Sequence, residues 1–247
     1  MKKILSIAAC GLALLSFVAC DKNGGNGDGD ESSVPVKRIK TYSLVGDGWA
    51  DVYQYSYDEQ GRVSRIFREE GKDWTFSYNG NKVTVKKADG TVAFDITLGS
   101  NGYVESMTDE WGDVRTYSYN AAGQMTKCMK GETVASEITI EDGCITVWTR
   151  WKDGVEQFKN HSYTNVKNHG GIHNIHSEAS GADRWMFETG LFGKGTSYLC
   201  AENQWQHSDA KATLTYDYDE DGYVVAEHKD YPDWPEEFEY TWETVEK

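Results

Sequence analysis

Between Trp74 and Tyr78 apolar and polar residues alternate strictly, with Trp74, Phe76 and Tyr78 set against Thr75 and Ser77. The same period of two runs through Val92, Phe94, Ile96 and Leu98, and returns near the end in Phe238, Tyr240 and Trp242 against Glu237, Glu239, Thr241 and Glu243. Side chains of an extended chain point alternately to opposite faces, so each run predicts a β-strand with one apolar and one polar face.

Glycines punctuate these runs at Gly61, Gly71, Gly80, Gly90, Gly102, Gly112, Gly123, Gly131, Gly143 and Gly154, a spacing of 8 to 12 residues that marks short strands in series. The residues ahead of them explain the turns. Asp58-Glu59-Gln60-Gly61, Asn120-Ala121-Ala122-Gly123 and Asp219-Glu220-Asp221-Gly222 each begin with Asp or Asn and end in Gly. The first side chain caps the turn amides and the glycine accepts a positive φ, which predicts a type I turn closed by a G1 bulge. Pro35, Pro232 and Pro235 all lie outside the alternating runs. Nothing in them interrupts a continuous antiparallel ladder.

Aligned strand ends fall at Tyr57, Tyr78, Leu98, Tyr119, Ile140 and Tyr163, so the repeating unit is one hairpin of about 21 residues. The count is about 12 strands from Lys37 to Tyr163 and three from Lys211 to Glu243, with room for two between. The expected fold class is all-β: an antiparallel β-hairpin meander of about 15 to 17 strands, closed or nearly closed into a soluble barrel with its apolar face inside. Strands of about seven residues fall short of the roughly 9 to 11 that a bilayer demands. Charges such as Lys86, Arg115 and Asp217, read as part of the polar face, would also be penalised by lipid.

A barrel of around 16 strands has a lumen that wall side chains alone struggle to fill. A flattened section, an internal plug or a ligand would solve this. The regular spacing lapses between Thr164 and Asp209, a segment containing GGIHNIH (170–176) and SGADRWMFETGLFGKG (180–195). It is expected to fold inward as a plug or outward as a recognition loop, and irregular segments on regular scaffolds are where function tends to sit.

The N-terminus adds an address. Lys2 and Lys3 precede an apolar stretch from Ile4 to Ala19, too short for a stable span, and Phe17-Val18-Ala19 precede Cys20. A small residue directly before cysteine resembles the bacterial lipobox, which implies cleavage before Cys20 and acylation of it. Acyl chains would then tether the chain to a membrane without a spanning helix. The following DKNGGNGDGDESS has no apolar residue and reads as a flexible tether. The expected organisation is a signal peptide at 1–19, a lipidated tether at 20–34 and one β domain at 35–247, with export to the outer membrane or cell surface. Loss of Lys2 and Lys3 takes the formal charge from −15 to −17, which disfavours nucleic acid as a partner. Cys128, Cys144 and Cys200 are an odd number, so no disulfide scaffold is implied, and nine Trp, 15 Tyr and 8 Phe supply a core without one.

The clearest hairpins, YSYDEQGRV (55–63), YSYNAAGQM (117–125) and YDYDEDGYV (216–224), resemble the tyrosine-aspartate repeat of Rhs-type and teneurin-type β-shells, the first at every fixed position. That likeness spans nine residues per copy and implies hairpin geometry. Lipobox, acidic glycine-rich tether and meander together resemble lipoproteins of Bacteroidota-type bacteria carrying a porin-like domain of unknown function. The resemblance implies an exported β-barrel and no activity.

Candidate chemistry is sparse. His169, His173 and His176 form H-x3-H-x2-H, with His161 and His207 not far off in sequence, and could offer imidazoles to Zn²⁺. Gly170 and Gly171 argue against a helix that would align the first pair, and solvated loop histidines are the simpler reading. Asp217, Asp219, Asp221 and Gly222 match the opening of a Ca²⁺ loop, but the same stretch reads as an Asp-capped hairpin turn. Glu110 beside Trp111, and Asp233-Trp234-Pro235-Glu236-Glu237, place carboxylates next to aromatics as a glycosidase would, without fixing the separation that hydrolysis requires. Trp49, Trp111, Trp148, Trp151, Trp205 and Trp234, with Trp185 in the irregular segment, are the rings available to stack on a sugar. Core packing is the competing role for each. No nucleophile elbow, P-loop or dinucleotide fingerprint is present. The expectation is a non-catalytic, membrane-anchored scaffold without a required cofactor, binding an extracellular glycan or protein; the alternatives are a structural or adhesive shell and a metal-dependent or glycan-active enzyme.

Overall fold

The computed structural model describes residues 35–245, apart from 47, 70, 153, 174–179 and 232–234. Within them sixteen strands follow one another: β1 (Lys37–Gly46), β2 (Trp49–Tyr57), β3 (Val63–Glu69), β4 (Lys72–Asn79), β5 (Lys82–Lys87), β6 (Val92–Leu98), β7 (Val104–Asp109), β8 (Val114–Tyr119), β9 (Met125–Lys130), β10 (Thr133–Glu141), β11 (Cys144–Lys152), β12 (Val155–Lys167), β13 (Tyr198–Trp205), β14 (Lys211–Tyr218), β15 (Val224–Asp230) and β16 (Glu236–Thr244). Each pairs antiparallel with its sequence neighbours, and β1 pairs with β16 to close the barrel. Closure removes both edges, which is how a long meander avoids presenting unpaired backbone.

The turns have the expected chemistry. Asp58 Oδ1 accepts from the amides of Gln60 and Arg62 at 3.0 and 2.9 Å, the Gly61 amide donates to the Asp58 carbonyl at 2.9 Å, and Gly61 sits at φ 76°. Asn120 and Asp219 repeat the arrangement at Gly123 and Gly222. Register shifts by one residue between Ser56 and Tyr57, Ser118 and Tyr119, and Asp217 and Tyr218, where the bulge resets the pairing.

These turns, both chain ends of the barrel and the long β12–β13 connection share one mouth, called here the insertion end. The connections β1–β2, β7–β8, β13–β14 and β15–β16 lie at the opposite, far end.

The apolar face points inward, with Tyr55, Ile66, Phe76, Val85, Ile96, Met107, Tyr117 and Ile138 all buried. Into the same core pack Ile172, Trp185, Met186, Phe187 and Phe192 from the β12–β13 connection. The irregular segment is therefore a plug. It is shorter than the lapse in the sequence pattern, made of 168–173 and 180–197 among the described residues, because β12 continues to Lys167 and β13 begins at Tyr198. Register shifts between Ser162 and Tyr163, and between Tyr163 and Lys167, hide the end of β12 from a period-two reading.

One face assignment needs correction. Arg115 does not belong to the outer face: it shares the inward side of β8 with Tyr117 and Tyr119, and its guanidinium abuts Gly181 of the plug. The signal peptide, Cys20 and the tether at 20–34 lie outside the described residues.

Candidate functional site

The plug is held at the insertion end by backbone bonds to the wall. The amide of Val104 donates to Leu191, Lys194 to Gly123, and Ser197 to Gly143, at 2.8 to 2.9 Å. Gln124 Nε2 adds bonds to the carbonyls of Gly143 and Gly195. Deeper in the lumen, Tyr55 and Tyr117 donate their hydroxyls to the carbonyls of Trp185 and Ser180, both at 2.8 Å.

A short helix, α1 (Arg184–Phe187), crosses the lumen and carries its one charge inward. Arg184 grips Glu227 with two bonds of 3.2 and 2.6 Å, reaches Tyr240 Oη at 2.5 Å, and lies 4.1 Å over the Phe238 ring. Burial opposes the guanidinium charge, but Glu227 and Tyr240 hold its proton firmly. Glu188 lies 3.6 Å from Arg184 Nε and accepts from the His173 amide at 3.3 Å. Burial pushes the Glu188 carboxyl up to about 7, against the pull of Arg184. His173 is itself buried beside Phe187, and desolvation, helped by Arg184, lowers its imidazole to about 4.

The predicted site residues scatter. His169 is exposed near Tyr223 while His173 is sealed in the plug, and His176 lies outside the described residues. Among the described residues no group of three His, Cys, Asp or Glu side chains converges as a metal site. Asp219 and Asp221 come together, but around Lys37, whose Nζ pairs with both and lies 2.7 Å from Asp219. Asp217 points outward toward His228, at 3.2 Å.

Trp111 stands 80% exposed at a far-end turn and Trp49 52% exposed at another. Trp185 and Trp148 are core, the former stacked 4.4 Å from Trp74. Trp205 is half-buried with Arg150 and Lys159 against it at 4.2 and 4.9 Å, and Trp151 is half-buried as well. Trp234, with Asp233, lies outside the described residues. Glu110 pairs with Lys87 and Glu236 with Lys229 at 2.7 Å, so these carboxylates serve ion pairs at the far-end rim.

Concave space is found where the plug meets the insertion-end wall. A cleft of about 520 Å³ is bounded by Arg38, Tyr57 and Trp242 on the wall and by His169, Glu188 and Lys194 on the plug side. A neighbouring cleft of about 590 Å³ shares Asn168, His169 and Ser197 with it. Arg38 lies 3.8 Å over the Tyr57 ring and is anchored to Glu243 at 2.6 Å, so an aromatic face and a fixed cation form one wall. Arg38, Glu188 and Lys194 escaped the sequence reading because nothing local distinguishes them. The lapse in turn spacing was the signal that located their neighbourhood.

No family model matches the chain, and no curated protein matches it in sequence. Among solved structures, a porin-like protein from Bacteroides uniformis superposes with a TM-score of 0.65 at 19% identity, over 83% of this chain and 98% of that one. A porin-like protein from Bacteroides vulgatus gives 0.57 at 10% identity, over 85% of this chain and 100% of that one. At such identities the likeness is one of fold: this chain shares its closed antiparallel barrel with porin-like proteins of Bacteroides.

Proposed function

We propose that the mature chain is an exported, lipid-tethered and non-catalytic β scaffold that binds a polar ligand, a glycan in the first instance, in the insertion-end cleft. The observation that carries this reading is the cleft itself: its roughly 520 Å³ falls within the range of small-ligand sites and combines aromatic, cationic and backbone polar groups. Cys20, preceded by Phe17-Val18-Ala19, supplies the tether, which supports placement at the outer membrane or cell surface. The tyrosine-aspartate likeness is consistent with hairpins that serve as scaffold.

A barrel standing in water is supported by its outer face, where Arg65 pairs with Asp73, Lys127 with Glu137 and Lys211 with Glu202 across strands. Lipid would charge about 2–4 kcal/mol for such a cation at the bilayer midplane. The reading is non-catalytic because the carboxyl lining the cleft of about 520 Å³, Glu188, faces no second carboxyl among the described lining residues of that cleft, and glycoside hydrolysis uses a pair. It asks for no metal or other cofactor, and the acidic charge disfavours nucleic acid.

A structural or adhesive shell is the second reading, favoured by the plug, which fills the central lumen with Trp185, Met186 and Phe187. A glycan array on the mature chain separates the two. Binding that weakens in His169→Ala and Lys194→Ala, both exposed at the cleft, supports the first reading, and uniform silence supports the shell.

A further inference from the structure

The inner wall toward the far end carries a buried lysine whose ammonium lies 4.9 Å from an aromatic face, the Trp205 ring, and buried polar atoms without a hydrogen-bond partner. Lys159 is 1% exposed and sits directly opposite Trp205, the last residue of β13, so it lies close to that mouth. Among the described residues no carboxylate pairs with its ammonium. Glu236, whose charge acts on it, is held by Lys229 at 2.7 Å, and Lys229 and Arg150 add charge of the same sign. Cys200 provides no counter-ion, since burial pushes its thiol up to about 12.

One layer deeper His161 faces Asn203 across the strands. His161 Nδ1 and Asn203 Oδ1 are sealed from solvent without a hydrogen-bond partner. Burial, helped by Lys229, pushes the Lys159 amine down to about 7, so its charge is held only when an anion lies against it, and buried polar atoms without partners carry an uncompensated desolvation cost. Natural interiors leave few such atoms, and two facing each other across β12 and β13 beside a buried lysine point to a ligand. Lys159 calls for an anion, and Asn203 Oδ1 can only accept, so it calls for a donor. One molecule meets both needs if it carries a carboxylate and hydroxyls together.

We propose that this wall is a binding site, separate from the insertion-end cleft, for a small hydroxylated carboxylate. The acid group lies against Lys159, and hydroxyls engage Asn203 Oδ1 and His161 Nδ1. The unit has two possible sources, a free sugar acid or the acidic residue of a polysaccharide.

Calorimetric titration of the mature chain with galacturonate, galactose, acetate and a galacturonate trimer tests this. Galacturonate is expected to bind at one site, at least tenfold more tightly than galactose or acetate, and to raise the thermal midpoint of the wild type. Lys159→Met and Asn203→Leu should each weaken it at least tenfold, with Lys159→Met no less heat-stable than the wild type, while His169→Ala leaves it unchanged. Binding of the monomer assigns a free acid and binding of the trimer alone assigns a polymer; either supports the site. Affinity for galactose equal to that for the acid, no midpoint shift in the wild type with either the monomer or the trimer, or water alone on Asn203 Oδ1 and His161 Nδ1 in crystals grown with both at saturation would overturn it. A silent glycan array with galacturonate binding intact marks failure of the cleft alone, and glycan binding that is lost in His169→Ala with no response to galacturonate or its trimer marks failure of this site alone.

Discussion

The hydroxyl of Tyr119 donates to the carbonyl of Val104 across 2.9 Å, and Tyr78 binds Val63 in the same way at the same distance, fifteen residues back in each case. Tyr216 repeats it to Cys200 at 2.8 Å, and Trp242 does so with its indole N–H to Val224 at 2.7 Å. Each aromatic lies within the last three residues of its strand at the insertion end and satisfies a carbonyl within the first three of a neighbouring strand. The 21-residue recurrence of strand-end tyrosines is thus a hydrogen-bond requirement as well as a packing one.

Tyr119→Phe and Tyr78→Phe keep the ring and lose the bond. Each should cost about 1 kcal/mol, with a further penalty where the carbonyl stays buried. Urea titrations should show lower midpoints at unchanged slope, and unaltered midpoints would reduce these bonds to decoration.

Breaking the buried pair in the plug should be far more damaging. Glu227→Leu leaves Arg184 charged within the core and is expected to cost about 3–5 kcal/mol, whereas Arg184→Met combined with Glu227→Leu should recover most of the loss. A double-mutant cycle measures this, and additive losses would contradict it.

Acid should act on the plug in two opposing ways. Glu188 rises from 4.5 to about 7 on folding, so between those values the native state keeps a proton that the unfolded chain has released, and stability falls as pH rises through that window. His173 drops from 6.5 to about 4, so between 4 and 6.5 the unfolded chain binds the extra proton, and stability rises with pH. Glu188→Gln removes the first contribution alone. The stability of wild type minus variant should therefore decline from pH 4.5 to 7 in denaturant titrations, and parallel curves would reject the assignment.

Gly193 holds φ 94°, and a Cβ there would stand 2.5 Å from the Gly123 carbonyl oxygen, the acceptor of the Lys194 amide. Gly193→Ala should loosen the plug and speed hydrogen exchange at Lys194 and Val104. Gly154→Ala, with φ 76° but open space around it, should show only the backbone cost of about 1 kcal/mol. Equal effects at both sites would mean that the contact with Gly123 carries no weight.

Cys20→Ala should move the protein from the membrane to the soluble fraction on cell fractionation, because a cysteine-linked lipid is the proposed anchor. Retention in the membrane would remove that anchor from the account.

Much of the fold was legible because its determinants are local. Alternation gives strands, Asx-to-Gly spacing gives turns, and a meander of tight hairpins leaves little choice of partner. The expected span of about 15 to 17 strands closes at sixteen, β13 being the one strand in the interval left open. Long-range decisions were not legible. Whether the segment between β12 and β13 sends Trp185, Met186 and Phe187 inward depends on a lumen that sixteen strands create together, and on backbone acceptors at Gly123 and Gly143 that exist only once those turns form. Arg184 reads as an ordinary charge beside an apolar run until Glu227, Tyr240 and Phe238 meet it across 43 to 56 residues of chain. The tyrosines determined the hairpins from within a few residues. The closed wall, by setting an interior volume, decided where the plug, the clefts and the buried Lys159 lie.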